Sequence, residues 1–224
     1  MLRTAGISLV GLVLLPGFAK GETINLGEYG PFEKIGFLAG TLDGSAWGFK
    51  AKKPDGKWYV IINGKEWGPY EDVVGPVFSS DGSAWGFWAM KPNGKWYVII
   101  NGKEWGAYED VGWWPQFSSD GSAWGFKAKK PDGKWYVIIN GKEWGAYEDV
   151  GWWPQFSSDG SAWGFEAKKP DGKEYLIING KEWGPYEDVW WWPQFSSNGS
   201  AVFYAATQTE PLYYRIDRIV VPGK

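Results

Sequence analysis

The chain contains no histidine and no cysteine in its 224 residues. Without cysteine there is no disulfide framework and no thiolate metal site. Without histidine the commonest general base, the Ser-His-Asp triad and imidazole ligation are all excluded. Neither sign of charge dominates, with 23 basic residues against 26 acidic ones. So mild an acidity does not point to nucleic acid or an anionic membrane as a partner. The one extended apolar run, residues 7–15, is too short for a transmembrane helix. It follows Arg3 and precedes small residues at Gly17 and Ala19, so residues 1–19 read as a signal peptide cleaved after Ala19. The alternatives for this stretch are an uncleaved anchor or a buried strand. Cleavage leaves 22 basic against 26 acidic residues, a net charge of −4, and no membrane span. No metal-ligand spacing, phosphate loop or nucleophile elbow is present, so neither metal nor cofactor is expected.

What the chain has is tryptophan and repetition. Aromatics make up 19% of it, with 19 tryptophans, far too many for a disordered chain. Asp-Gly-Ser-Ala-Trp-Gly-Phe begins at Asp43, Asp81, Asp120 and Asp159, and a worn copy begins at Asn198. The intervals of 38, 39, 39 and 39 residues mark one supersecondary unit repeated. Within a unit, Ala-Trp-Gly-Phe and Trp-Tyr-Val-Ile-Ile read as strands, and Asn-Gly directly after the second is a strong hairpin signal. Glu66-Trp67-Gly68-Pro69-Tyr70-Glu71-Asp72-Val73 supplies an outer strand, where Pro69 costs no ladder donor. Phe-Ser-Ser ends the strand that leads into the next Asp-Gly. Each unit is therefore a four-stranded antiparallel meander, and the fold class is all-β, a five-bladed β-propeller. Residues 27–35 align with residues 65–73, while the C-terminus runs out after three strands of its own blade. The propeller is thus expected to be closed by an N-terminal outer strand completing the last blade, as one domain over residues 20–224. An open stack, or a ring completed by a second chain, is the alternative.

Pro115-Gln116-Phe117-Ser118-Ser119-Asp120-Gly121, its copies at Pro154 and Pro193 and the diverged form at Pro76 resemble the repeat signature of TolB-type, WD-like propellers. The resemblance covers the whole mature chain. It implies a propeller and, as function, anything from protein-binding scaffold to peptidase-associated domain. Serine replaces that family's usual proline before Asp-Gly. Five tryptophan-rich blades are also similar in architecture to the tachylectin type of sugar-binding propeller, with no shared motif.

The candidate binding residues are Trp113, Trp114, Trp152, Trp153, Trp190, Trp191 and Trp192, read as lying at the junction between the outer strand and the next blade. Neighbouring strand residues point to opposite faces. The first tryptophan of each pair is therefore expected in the packing between blades, and the second is left open between core and the channel mouth. Exposed, they would form an aromatic platform for sugar rings or a cage for a quaternary ammonium group. Trp47, Trp85, Trp124 and Trp163 are expected in the core. The repeated Tyr-Glu-Asp carboxylates, as at Glu71 and Asp72, face apart and read as a solvated edge that blocks strand pairing. Two acids stand at otherwise basic or aromatic positions, Glu166 and Glu174. Catalysis needs unequal roles, and repeated equal acids are a poor basis for one acid and one base. The expectation is a secreted or periplasmic, monomeric, non-catalytic binding module, with glycan as leading ligand. A protein-interaction scaffold, a recently amplified or engineered repeat without specific ligand, and a glycoside hydrolase are the alternatives.

Overall fold

The computed structural model describes residues 10–12, 23–112, 114–189, 193–196, 199–210 and 213–222. Among these every regular element is a strand. β1 (Val10–Leu12), inside the expected signal, pairs with β2 (Thr23–Asn25). The expected cleavage point at Ala19 lies outside the described residues. The first sheet is β3 (Lys34–Gly40), β4 (Trp47–Lys52), β5 (Trp58–Ile62) and β6 (Lys65–Tyr70). The second is β7 (Asp72–Phe78), β8 (Trp85–Met90), β9 (Trp96–Ile100) and β10 (Lys103–Tyr108). The third holds β11 (Asp110–Val111), β12 (Gln116–Phe117), β13 (Trp124–Lys129), β14 (Trp135–Ile139) and β15 (Lys142–Tyr147). The fourth holds β16 (Asp149–Val150), β17 (Gln155–Phe156), β18 (Trp163–Lys168), β19 (Glu174–Ile178) and β20 (Lys181–Tyr186). The last holds β21 (Asp188–Val189), β22 (Gln194–Phe195), β23 (Ala201–Glu210) and β24 (Tyr213–Val221). Five successive antiparallel meanders are the blades of a five-bladed propeller.

The turns follow from the residues that make them. Asn63, Asn101, Asn140 and Asn179 have φ of +47° to +50°, each followed by a glycine at +81° to +83°. That pair of left-handed residues is the tight hairpin turn read from the sequence. Each asparagine also accepts a backbone N–H from the start of its second strand, as Asn63 Oδ1 does from Trp47 at 2.8 Å. At the Asp-Gly turns, Ser79 Oγ donates to Asp81 and accepts from the Ala84 N–H, which satisfies a buried hydroxyl.

The chain divides into two compact units, Met1–Gly106 and Ala107–Lys224. In the first, Val60, Ile62, Tyr70, Val73, Phe87, Ala89 and Ile99 form a buried cluster between successive sheets. Tyr70 meets Phe87 edge-on at 5.8 Å. In the second unit Val137, Ile139, Tyr147, Val150, Phe165, Ala167 and Ile177 repeat the arrangement, with Tyr147 on Phe165 at 5.8 Å. Within each unit a blade thus buries its own face against the next one's second strand. Gly48 and Gly164 make room for this approach. A Cβ on Gly48 would lie 3.1 Å from Pro76 Cγ, and one on Gly164 3.0 Å from Pro193 Cγ.

The N-terminal segment behaves as the outer-strand equivalent in its packing. Tyr29 meets Trp47 at 5.5 Å and Phe32 meets Phe49 at 5.8 Å. Trp67 on Trp85 and Tyr70 on Phe87 are the matching contacts of the next sheet. The expected closure does not appear as hydrogen bonding. Among the described residues no sheet is closed, and the last one consists of β21 to β24 alone. Residues 26–32 run without ladder partners, held by aromatic contacts to the first sheet.

Candidate functional site

Trp152 and Trp153 do not stand at a junction between two sheets. The outer strand ends at Tyr147 and the next sheet's first strand begins at Asp149, so Trp152 and Trp153 interrupt that first strand. The ladder shows why. Val150 pairs with Ala167 and Gln155 with Gly164, so four residues, 151–154, oppose only Phe165 and Glu166. In the third sheet Val111 likewise pairs with Ala128 and Gln116 with Gly125. Two extra residues make a wide bulge, and Pro115 or Pro154 ends it with no N–H to offer the ladder. In β3 and β7 only one extra residue is accommodated and the strand stays continuous.

The bulge exposes the tryptophan expected inside. Trp152, expected to pack between blades, is 54% exposed. Trp153 and Trp114 are half-buried. Simple alternation fails here because extra residues reset which face each side chain takes. Trp152 and Trp153 meet edge-to-face, with centroids 5.6 Å apart. Gln155 Nε2 donates to the Trp153 carbonyl at 3.4 Å, and Gln116 Nε2 to the Trp114 carbonyl at 2.9 Å. Trp113, Trp190, Trp191 and Trp192 lie outside the described residues.

Sequence reasoning missed the lysine that holds this bulge. Lys127 Nζ donates to the carbonyls of Val150 and Gly151, at 2.6 and 2.7 Å. Burial lowers its pKa, and the charges of Asp149, Glu166 and Asp110 oppose that shift. Lys127 also lies 5.1 Å from the Trp135 ring. Glu166 occupies the slot beside Gly151, where an added Cβ would come within 2.7 Å of its Oε1. Its pKa is pushed up to about 7, first by burial and then by the charges of Glu174, Asp188 and Asp149, with Lys127 opposing. A lysine at register-equivalent positions, and its replacement at Glu166, was the available signal.

The second-strand tryptophans pack on phenylalanines. Trp47, Trp85, Trp124 and Trp163, expected in the core, are half-buried and stack on Phe49, Phe87, Phe126 and Phe165. Glu71 and Glu148 are ion-paired to Lys57 and Lys134, and Asp72 caps the Val73 N–H. Among the described residues no group of three or more carboxylates could hold a metal ion. No described helix is long and apolar enough to cross a membrane.

No protein-family model matches the sequence, and no curated protein matches it. Solved structures similar to it include the β-propeller domain of the trilobed protease from Pyrococcus furiosus, described as having an open velcro topology. That domain is 13% identical, with 87% of this chain and 70% of that one covered and a TM-score of 0.47. TolB from Acinetobacter baumannii is 18% identical, covering 92% and 55% with a TM-score of 0.41. A putative TolB from Agrobacterium tumefaciens is 14% identical, covering 91% and 84% with a TM-score of 0.41.

Proposed function

We propose that this protein is an exported, non-catalytic propeller that binds glycan rings on the tryptophans of its first-strand bulges. One observation carries the reading. Trp152 alone among the described tryptophans is more than half exposed, on a bulge fixed from below by Lys127. An aromatic face held in place at low entropy cost suits the flat apolar side of a sugar, and neighbouring Gln155 supplies a polar edge. Equal sites on successive blades gain by avidity when the target is itself repetitive. Of the acids that could argue for hydrolysis, Glu71 and Glu148 are held in ion pairs and Glu174 accepts the Val189 N–H.

Titrating a panel of oligosaccharides while following tryptophan emission tests the reading. A saturable change lost in Trp152→Ala supports it, and silence across the panel rejects it. Mass analysis of the exported protein should show a chain beginning at Lys20. A second reading, docking of a protein, has its own support in the first unit. There Phe37 and Leu42 are exposed beside a cleft of about 330 Å³ lined by Phe37, Ala39, Leu42, Pro76, Val77 and Phe78.

A further inference from the structure

Five described turns carry the same tripeptide, Asn-Gly-Lys, beginning at Asn63, Asn93, Asn101, Asn140 and Asn179. An asparagine before glycine is prone to lose its side-chain amide, because glycine leaves its own backbone nitrogen unhindered beside the asparagine Cγ. With the local sequence equal, only the fold separates the five. Four of them close hairpins, with the asparagine in left-handed backbone. Their side chains turn away from their own glycine. Asn63, Asn101, Asn140 and Asn179 Oδ1 each accept the N–H of the tryptophan that opens the second strand, at 2.8–2.9 Å. Aromatic rings roof three of these glycines. An added Cβ would come within 3.1 Å of Tyr29 at Gly64, 2.8 Å of Trp67 at Gly102 and 2.5 Å of Trp144 at Gly180.

Asn93 differs on each count. It lies in the exposed turn between β8 and β9. Its Oδ1 accepts the N–H of Lys95, two residues on, at 3.1 Å, which folds the side chain back toward Gly94. A Cβ placed on Gly94 would meet nothing within 4 Å. One bond restrains the glycine nitrogen, from its N–H to the Lys91 carbonyl at 2.9 Å, and it lies in that exposed turn.

The turn also suits the product. Asn93 stands where three other blades have Asp55, Asp132 and Asp171. Each of those carboxylates accepts the N–H of the lysine two residues on, at 2.8–2.9 Å, and the hydroxyl of the tyrosine four residues on, at 2.6–2.7 Å. Asn93 instead meets Tyr97 by donating from Nδ2, at 2.9 Å. A carboxylate there would accept from both Lys95 and Tyr97, and bonds to an ionised acceptor are the stronger kind.

We propose that Asn93 is a spontaneous deamidation site, selected by the fold from five equal tripeptides, and that its main product is the aspartate of the other blades. The Gly94 nitrogen loses its proton and attacks Asn93 Cγ. The bond from Cγ to the side-chain nitrogen breaks, and that nitrogen leaves as ammonia with the proton. Water then opens the resulting succinimide. Cleavage between Cγ and the Gly94 nitrogen gives aspartate, and cleavage at the main-chain carbonyl gives isoaspartate. One water is consumed and one ammonia released, with no oxidant or reductant. Aspartate is favoured in the folded turn, since it keeps the chain path that sets Lys95 and Tyr97 against the carboxylate.

The full chain is tested by ageing at mildly alkaline pH, with peptide mass mapping that resolves aspartate from isoaspartate. Asn93 should convert several-fold faster than the four hairpin asparagines, chiefly to aspartate. In denaturant the five should convert at similar rates. Asn93→Gln should remove the earliest acidic species on ion exchange, and Asn93→Asp should match the aged wild type in retention and in Tm. Hairpin asparagines that convert as fast as Asn93 in the folded chain overturn the proposal. So does isoaspartate as the main folded-state product, or a lead for Asn93 that persists in denaturant. No ligand enters these readouts, so the glycan reading and this one fail separately.

Discussion

At the scale of single residues, exposure and close approach separate binding from folding. Trp152 contributes little to the core, so Trp152→Ala should leave Tm within about 1 °C of wild type, as surface changes do. The same change should weaken glycan binding by about 1 kcal/mol, several-fold in Kd by fluorescence titration. Gly164 is the opposite case. A methyl there would press on Pro193 Cγ and the Ile177 carbonyl, both about 3 Å away. Gly164→Ala should cost about 1–3 kcal/mol in denaturant unfolding and leave ligand affinity per folded molecule unchanged. The need for glycine at these positions was legible in the sequence, since a conserved gap in each copy of Ala-Trp-Gly-Phe implies a neighbour. The neighbour's identity, a proline of the following first strand, was not.

At the scale of elements, the turn chemistry carried most of the reading. Asn-Gly and Asp-Gly-Ser fix left-handed backbone and local hydrogen bonds, so strand existence followed from a few residues. The bulge escaped because its register is set by cross-strand pairs, Val150 with Ala167 and Gln155 with Gly164, that no local pattern records. Two extra residues then defeated the parity argument that placed Trp152 inside. The bulge also depends on a side chain from another sheet. Lys127→Met keeps the apolar stem but leaves the Val150 and Gly151 carbonyls without their donor. It should cost about 1–3 kcal/mol. Hydrogen exchange should localise the loss to residues 149–156, and ligand affinity should fall even though no aromatic ring has been touched.

At the scale of the whole molecule, two sets of carboxyls pull stability in opposite directions with pH. Thr41, Ser79, Ser118 and Ser157 hydroxyls, with the backbone and side chain of the serine two residues on, hold Asp43, Asp81, Asp120 and Asp159 below the usual carboxylate range; Asp43 falls to about 2. A lowered folded-state pKa means stability that is complete above the unfolded value near 4 and drains away as pH falls toward 2. Glu166 works the other way. Its folded pKa of about 7 exceeds the ordinary 4.5, so the native state binds the extra proton between those values and stability falls as pH rises through that window. Tm plotted against pH should therefore peak near pH 4–5, decline gently to a plateau above neutrality and collapse steeply toward pH 2. Because the acid limb repeats with the sequence and the neutral limb belongs to one blade, substitutions separate them. Asp81→Asn with Asp120→Asn should lessen the acid collapse alone, and Glu166→Gln should remove the neutral decline alone. A profile rising steadily from pH 4 to pH 8 would assign the carboxyls of both sets the wrong sign.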